Sequence, residues 1–138
     1  AHPMRFATNR FVNGTSLTIE SSGAVVCNTS FTNNSDTRLK EKQLTANPGQ
    51  LQAIFDAVEV KTYERNDLGN QKRTGFIAQE LEAMLPESCR HIVGEGTMQT
   101  EAGEQTIKTV DYARLTTTLW SVCKGPQERV AAWESAGG

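Results

Sequence analysis

The sequence Asn-Ser-Asp-Thr-Arg-Leu-Lys, at residues 34–40, stands where the composition of the chain changes. Residues 5–34 are dominated by Ser, Thr and Asn, and they contain two Arg, one Glu and neither Lys nor Asp. Charged residues become frequent from Asp36 onward. This change predicts a domain boundary between residues 34 and 35.

Short strands are predicted before this boundary, because apolar and polar residues alternate there, as at Leu17 and Ile19. The pairs Asn13-Gly14 and Ser22-Gly23 are typical of tight turns. We therefore expect two or three short strands. One copy of this segment has few large side chains to bury. It is then either a flexible leader or a set of strands that pairs with copies from other chains.

The overall composition excludes several classes of protein. The 138 residues suit one domain, but 37% hydrophobic and 7% aromatic residues are low values for a chain that folds alone. Fourteen Lys and Arg against sixteen Asp and Glu give a net charge of −2, which argues against a nucleic-acid partner. No apolar run reaches the roughly 18 residues of a membrane span, so no membrane partner is expected.

The three cysteines, Cys27, Cys89 and Cys123, lie far apart and form no CxxC pair. Their spacing indicates neither a zinc site nor a disulfide framework. We expect reduced thiols, no metal and no other cofactor.

The part after the boundary predicts a mixture of helices and strands, and so an α+β fold. Asn47 and Pro48 are typical of a helix start. Asp111 is expected to cap a second, longer helix, in which Gly125-Pro126 is expected to cause a break. The expected elements are a helix at 48–58, a hairpin of strands 58–64 and 73–78, a helix at 79–85, a strand at 89–93, a loop at 94–103, a strand at 105–110 and C-terminal helical segments from 112 to 135.

Apolar residues at helical spacing indicate which faces are covered. Leu51, Ile54, Phe55 and Val58 form one stripe, which predicts a helix that faces the core. The two tryptophans of the C-terminal helical segments pack either against another chain or against their own domain.

Ser35 and Lys40 are candidates for a nucleophile and its base. Serine is a weak nucleophile until a base removes its proton, and lysine is a base only when burial or a neighbouring cation lowers its pKa. Residues five apart do not share a helix face, so the pair requires Ser35 to lie outside any helix that carries Lys40. The spacing alone is common and equally typical of a solvated, charged turn.

Three motifs occur in order: Ser-Asp-Thr-Arg-Leu-Lys at 35–40, Gly-Phe-Ile-Ala-Gln-Glu-Leu-Glu at 75–82 with Leu-Pro-Glu at 85–87, and Val-Asp-Tyr-Ala-Arg-Leu at 110–115. Together they resemble the C-terminal intramolecular chaperone and auto-processing domain of phage tailspikes and tail fibres, such as endosialidase tailspikes. The resemblance covers about residues 35–123.

The resemblance implies a homotrimeric folding aid that aligns an upstream β-structured client and is then cut off by a serine–lysine dyad. It places the catalytic roles on Ser35 and Lys40, and supporting roles on Asp36 and Arg38. Gln79 and Glu80 match a further motif position, where a structural role is favoured.

The resemblance also implies a domain organisation and a location. It makes residues 5–34 the end of the fibrous client and residues 35–138 the chaperone with a C-terminal helix. Residues 1–4, Ala-His-Pro-Met, are interpreted from their own sequence as an expression scar. Assembly is expected in the host cytoplasm, and the upstream mature part in the virion tail.

The expected cut lies between Asn34 and Ser35. The Ser35 hydroxyl reaches the Asn34 carbonyl through a five-membered ring, whereas its own carbonyl would require a strained four-membered ring. Attack from a neighbouring chain is an alternative. Two other functions stay open, a trimerisation module that does not cut and a receptor-binding fibre tip.

Overall fold

The structure, a computed structural model, describes residues 3–6, 17–28 and 30–137. It divides into two compact units, residues 1–44 and residues 45–138. The predicted turn at Asn13-Gly14 and the first two residues of the expected scar lie outside the described residues.

The first unit contains a small antiparallel sheet, which confirms the predicted short strands. The strands β1 (Met4–Phe6), β2 (Leu17–Ile19) and β3 (Val25–Cys27) lie side by side in chain order. The predicted turn at Ser22-Gly23 joins β2 to β3, where the Gly23 amide donates to the Glu20 carbonyl at 2.9 Å. Gly23 has φ +88°, a value that glycine adopts without steric cost.

The second unit begins with helix α1 (Pro48–Ala57), as the capping residues predict. The Asn47 side chain accepts hydrogen bonds from the Gly49 and Gln50 amides, at 2.9 and 3.2 Å. Leu51 and Ile54 are buried, but Phe55 of the same predicted stripe is 56% exposed. The helix therefore covers the core with only part of its apolar face.

A hairpin and a short helix follow, close to the predicted bounds. Strands β4 (Lys61–Arg65) and β5 (Gln71–Gly75) pair antiparallel, and helix α2 spans Ala78–Met84. The core of the unit is formed by α1, α2 and the segment after α2. Its buried apolar residues are Leu51, Ile54, Leu81, Leu85, Cys89 and Ile92.

The expected strand at 89–93 is wrong, because residues Glu87–Ile92 form a 3₁₀ helix. Cys89 and Ile92 are three residues apart and both are buried, which matches the three-residue repeat of a 3₁₀ helix. Arg90 Nε also donates to Glu87 Oε2 at 2.6 Å within this turn. A short apolar run does not distinguish a strand from a helical turn, which is why the sequence pattern favoured a strand here.

The expected loop at 94–103 is also wrong. Strand β6 (Val93–Thr100) pairs antiparallel with β7 (Gly103–Val110) along their whole lengths. Gly94 and Gly96 weakened the strand prediction. In the structure, a Cβ atom at either glycine would meet the Thr109 side chain, at 3.1 and 3.3 Å.

The C-terminal helix is continuous, so the predicted break at Gly125-Pro126 is wrong. Helix α3 spans Leu115–Ser135 with Pro126 inside it, and Asp111 Oδ1 accepts from the Arg114 amide just before its start. Proline normally forces the preceding residue out of helical geometry by clashing with its Cβ atom. Gly125 has no Cβ atom, so this obstacle is reduced here. No described helix is both long and apolar enough to cross a membrane.

Tyr112 of the third sequence motif contacts Phe76 of the second. Tyr112 Oη accepts a hydrogen bond from the Phe76 amide at 2.9 Å, and the two rings stack with centroids 5.9 Å apart. Partial desolvation and a hydrogen bond with Tyr112 raise the pKa of Tyr63. A Cβ atom at Gly75 would lie 2.5 Å from Tyr112 Oη and 2.9 Å from Tyr63 Oη. Gly75 is therefore required by the two hydroxyl groups above it.

Substituting Gly75→Ala is expected to lower the free energy of unfolding by about 1–3 kcal/mol, the usual range for overpacking. The cost should be smaller in a Tyr112→Phe background, where the nearer hydroxyl is gone. Urea unfolding of the four chains of this double-mutant cycle measures both values. Equal costs in the two backgrounds would contradict the proposed contact.

Candidate active site

A single carboxylate organises the turn that follows the predicted boundary. Asp36 precedes the 3₁₀ helix Thr37–Leu39, and its Oδ1 accepts from the Arg38 amide at 2.8 Å. The Arg38 guanidinium also binds this carboxylate through two bonds, Nε to Oδ1 at 2.9 Å and Nη2 to Oδ2 at 3.0 Å. Two-pronged arginine–carboxylate pairs have a fixed relative geometry, so the pair fixes the shape of the turn.

The charges of this pair stabilise each other. The hydrogen bond from the Arg38 side chain is the main reason why the pKa of Asp36 lies below its usual value, and the same bond raises the pKa of Arg38. Both side chains are exposed to water. Water screens such a pair, and its main effect is therefore on geometry and not on global stability.

The turn brings Lys40 back to Ser35. Lys40 Nζ lies 2.6 Å from Ser35 Oγ and donates a hydrogen bond to it. Lys40 itself has extended backbone and ends the 3₁₀ helix, and Ser35 precedes the helix. Neither residue is inside it, which is the arrangement that a pair five residues apart requires.

The surroundings of this pair are open and partly apolar. Every residue from 30 to 50 is exposed, including Ser35 and Lys40. Leu39 is 66% exposed and Leu44 is 91% exposed, and Phe31 is also largely exposed. The polar pair thus lies in a segment that also carries exposed apolar side chains.

Gln79 and Glu80 lie on α2, in the other unit. Glu80 Oε1 accepts from Lys61 Nζ at 2.6 Å, and so it links α2 to β4. This bond is the first cause of the raised pKa of Lys61. Gln79 is exposed. The observed contact of Glu80 is structural, within the second unit.

Sequence reasoning missed one side chain at the site, that of Gln43. It folds back onto the turn, and the sequence carries no signal for this, because the approach depends on the backbone conformation of Lys42. The described ranges contain no group of three or more His, Cys, Asp or Glu side chains that could hold a metal ion.

Comparison with known proteins gives one family. Residues 35–90 match the family model Peptidase_S74, described as chaperone of endosialidase. The match begins at the first of the three motifs and includes the second, so it confirms the resemblance that the motifs predict. The third motif, at 110–115, lies beyond the matched residues.

The similar solved structures include the carboxy-terminal domain of the bacteriophage T5 L-shaped tail fibre with its intramolecular chaperone domain. The identity is 13% and the TM-score 0.41, and the alignment covers 97% of this chain. The chain spans 44% of the length of that structure. No curated protein matches the chain.

The Asp36–Arg38 pair can be tested by NMR titration in a Ser35→Ala chain. We expect the Asp36 carboxyl carbon to titrate below the usual range of aspartate, and to return toward that range when Arg38→Gln is added. Because the pKa is lowered in the folded turn, the cap contributes above the usual pKa of aspartate and is lost as the pH falls through the lowered value. Arg114→Gln, a change at a different ion pair, should leave the titration unaltered. A curve for Asp36 that is indifferent to Arg38 would refute the pairing.

Proposed function

We propose that this chain, whose residues 35–90 match the chaperone of endosialidase family, is the C-terminal intramolecular chaperone of a phage tail fibre or tailspike. It assembles as a homotrimer, aligns the β-structured client upstream of Ser35, and then releases itself by cutting between Asn34 and Ser35. The observation that carries the proposal is the 2.6 Å contact between Ser35 Oγ and Lys40 Nζ.

The proposed reaction begins when the neutral Lys40 amine takes the proton of the Ser35 hydroxyl. Ser35 Oγ then attacks the Asn34 carbonyl carbon through a five-membered ring. The bond from that carbon to the Ser35 nitrogen breaks, and the nitrogen receives the proton from Lys40. The product is an ester between Asn34 and the Ser35 side chain. Water hydrolyses the ester, which leaves an Asn34 carboxylate and a free Ser35 hydroxyl and amine.

The open surroundings of the pair explain why cutting waits for assembly. In the single chain Lys40 donates its hydrogen bond to Ser35, whereas catalysis requires the amine to accept one. Removing water from an ammonium favours the neutral form. Leu39 and Leu44 are exposed in the same segment as the pair. In this proposal, a neighbouring chain that covers the segment also removes water from Lys40. Cutting then reports that the chains have assembled.

Helix α3 supplies a surface for the proposed trimer. Apolar residues recur along it at intervals of three and four, which is the spacing of a coiled-coil seam. This stripe consists of Leu115, Leu119, Val122, Pro126, Val130 and Trp133. Leu119, Val130 and Trp133 are more than half exposed in the single chain. Because α3 passes through Pro126 unbroken, the stripe runs along nearly the whole helix.

A second apolar surface adjoins the first part of this stripe. A groove of about 520 Å³ lies between α1, α2 and α3, and its lining includes the largely exposed side chains of Phe55, Val60, Tyr112 and Leu119. A monomeric protein seldom leaves so much apolar surface open to water. The second unit thus has the surface expected of a chain that is completed by its copies.

The roles of the two residues can be separated by substitution. Ser35→Ala and Lys40→Met should each leave the chain intact, because one removes the nucleophile and the other the base. Lys72→Met, the same change at an exposed lysine of β5, should be cut like the original chain. Intact-mass measurement after incubation distinguishes these outcomes. A cut Ser35→Ala chain would disprove the proposed nucleophile, and an uncut original chain would favour a trimerisation module that does not cut.

The trimer surface can be tested with two neighbouring lysines. Val130→Lys places a charge in the α3 stripe and should reduce both the trimeric fraction and self-cleavage. Ala131→Lys places the same charge away from the stripe and should change neither. Analytical ultracentrifugation measures assembly, and a denaturing gel measures cutting. A Val130→Lys chain that remains trimeric would remove α3 from the interface.

A further inference from the structure

The Gln43 side chain folds back over the turn that carries the proposed dyad. Its Nε2 lies 2.7 Å from Thr37 Oγ1, 3.2 Å from the Lys40 carbonyl oxygen and 3.5 Å from the Thr37 carbonyl oxygen. Carbonyl oxygens only accept hydrogen bonds, so the nitrogen of the amide must face them. One side chain therefore joins the start of the 3₁₀ helix to the backbone of Lys40.

The backbone before Gln43 is held in an uncommon conformation. Lys42 has φ +51°, which is the left-handed region that residues with a Cβ atom seldom adopt. Of the described residues that are not glycine, only Lys42 and Asn70 have positive φ. This turn reverses the chain after Glu41 and returns Gln43 toward Thr37. Unfavourable backbone conformations persist where the surrounding contacts require them, and here those contacts are the bonds of the Gln43 amide.

We infer that Gln43 is a positioning residue for self-cleavage, an inference that rests on the proposed function. A lysine side chain has four rotatable carbon–carbon bonds, so Nζ stays near Ser35 only if the Lys40 backbone is itself held. Asp36 and Arg38 fix the beginning of the turn, and Gln43 fixes its end at the Lys40 carbonyl. Small displacements of a reacting group lower rates strongly, since the reaction depends on a short and aligned approach.

The first test replaces the amide without changing the length of the side chain. Gln43→Met removes both hydrogen-bond donors and should lower the rate constant of self-cleavage about tenfold to a hundredfold, in line with the cost of misplacing a catalytic group. The rate is measured on isolated, assembled chains by intact mass against time. Gln105→Met, the same change at an exposed glutamine of β7, is the matched control and should cut at the original rate.

The pH profile distinguishes positioning from a general structural role. The amide of Gln43 carries no charge, so its loss should lower the plateau of the rate at high pH and leave the midpoint in place. A residue needed only for folding would lower the yield of assembled chains, while those that assemble would cut at the original rate. That second result would overturn the inference.

A pair of substitutions at Lys42 tests the same device while Gln43 stays in place. Lys42→Val disfavours positive φ and should lower the rate about as much as Gln43→Met, whereas Lys42→Gly accepts positive φ and should retain the original rate. Both changes remove the lysine side chain, so only the backbone preference differs. This pair decides the question if Gln43→Met does not assemble, and equal rates for the two would overturn the inference.

The outcomes also separate this inference from the proposed function. If the original chain is not cut, or Ser35→Ala is cut, the proposed dyad fails whatever Gln43 does. If the original chain is cut, Ser35→Ala is not, and assembled Gln43→Met cuts at the original rate, only the role of Gln43 fails.

Discussion

The geometry of the Ser35–Lys40 pair depends on one carboxylate, that of Asp36. It caps the 3₁₀ helix Thr37–Leu39 through the Arg38 amide and holds the Arg38 guanidinium in the same contact. Without this turn, a serine and a lysine five residues apart would not face each other. With it, Ser35 Oγ and Lys40 Nζ are in hydrogen-bond contact within a fully exposed segment. Local hydrogen bonds thus form the geometry of the proposed dyad. In the proposed function, assembly of the chains then removes water from Lys40.

In the proposed function, forming the dyad and removing water from it are separate steps, so the chain is not cut before it has assembled. A dyad that is geometrically complete but solvated remains a weak nucleophile, because the lysine donates its hydrogen bond where catalysis needs it to accept one. The exposed stripe of α3 and the groove beside it give the chains a reason to associate. In the proposed function, the cut separates the client from the domain that aligned it, and the folded client then cannot unfold along the same path. Its persistence is then governed by a barrier to unfolding.

Much of the second unit could be predicted from local signals, and the exceptions have physical reasons. Asn47 and Pro48 predict the start of α1, because helix capping depends only on residues that are neighbours in the sequence. The 3₁₀ helix containing Cys89 and Ile92 was taken for a strand, since a short apolar run does not distinguish the two. Only β7 of the β6–β7 hairpin could be predicted, because Gly94 and Gly96 are weak strand formers whose strand conformation comes with pairing to β7. The continuity of α3 depends on the absence of a Cβ atom before Pro126.

At the candidate site, the sequence provided the residues and the structure provided their arrangement. The spacing of Ser35 and Lys40 fits a catalytic pair and a solvated, charged turn equally well. The three ordered motifs favour the catalytic pair. Gln43 could not be found in this way, because its role depends on a positive φ at Lys42 that lysine does not signal. Phe55 lies at core spacing, yet it is 56% exposed, because spacing alone does not show how far the core extends.

The most direct test of the account is to intercept the proposed ester. Hydroxylamine added to freshly assembled chains attacks an ester in competition with water, and the product is identified by mass spectrometry of the released fragments. The account predicts that the fragment ending at Asn34 carries a hydroxamate and that the other fragment begins with an unmodified Ser35. Hydroxylamine also cleaves Asn-Gly bonds, so a cut at Asn13-Gly14 that is equally present in the Ser35→Ala chain is not counted. A fragment that ends at any other residue, or an Asn34 terminus that is only ever a carboxylate, would contradict attack by the Ser35 hydroxyl on the Asn34 carbonyl.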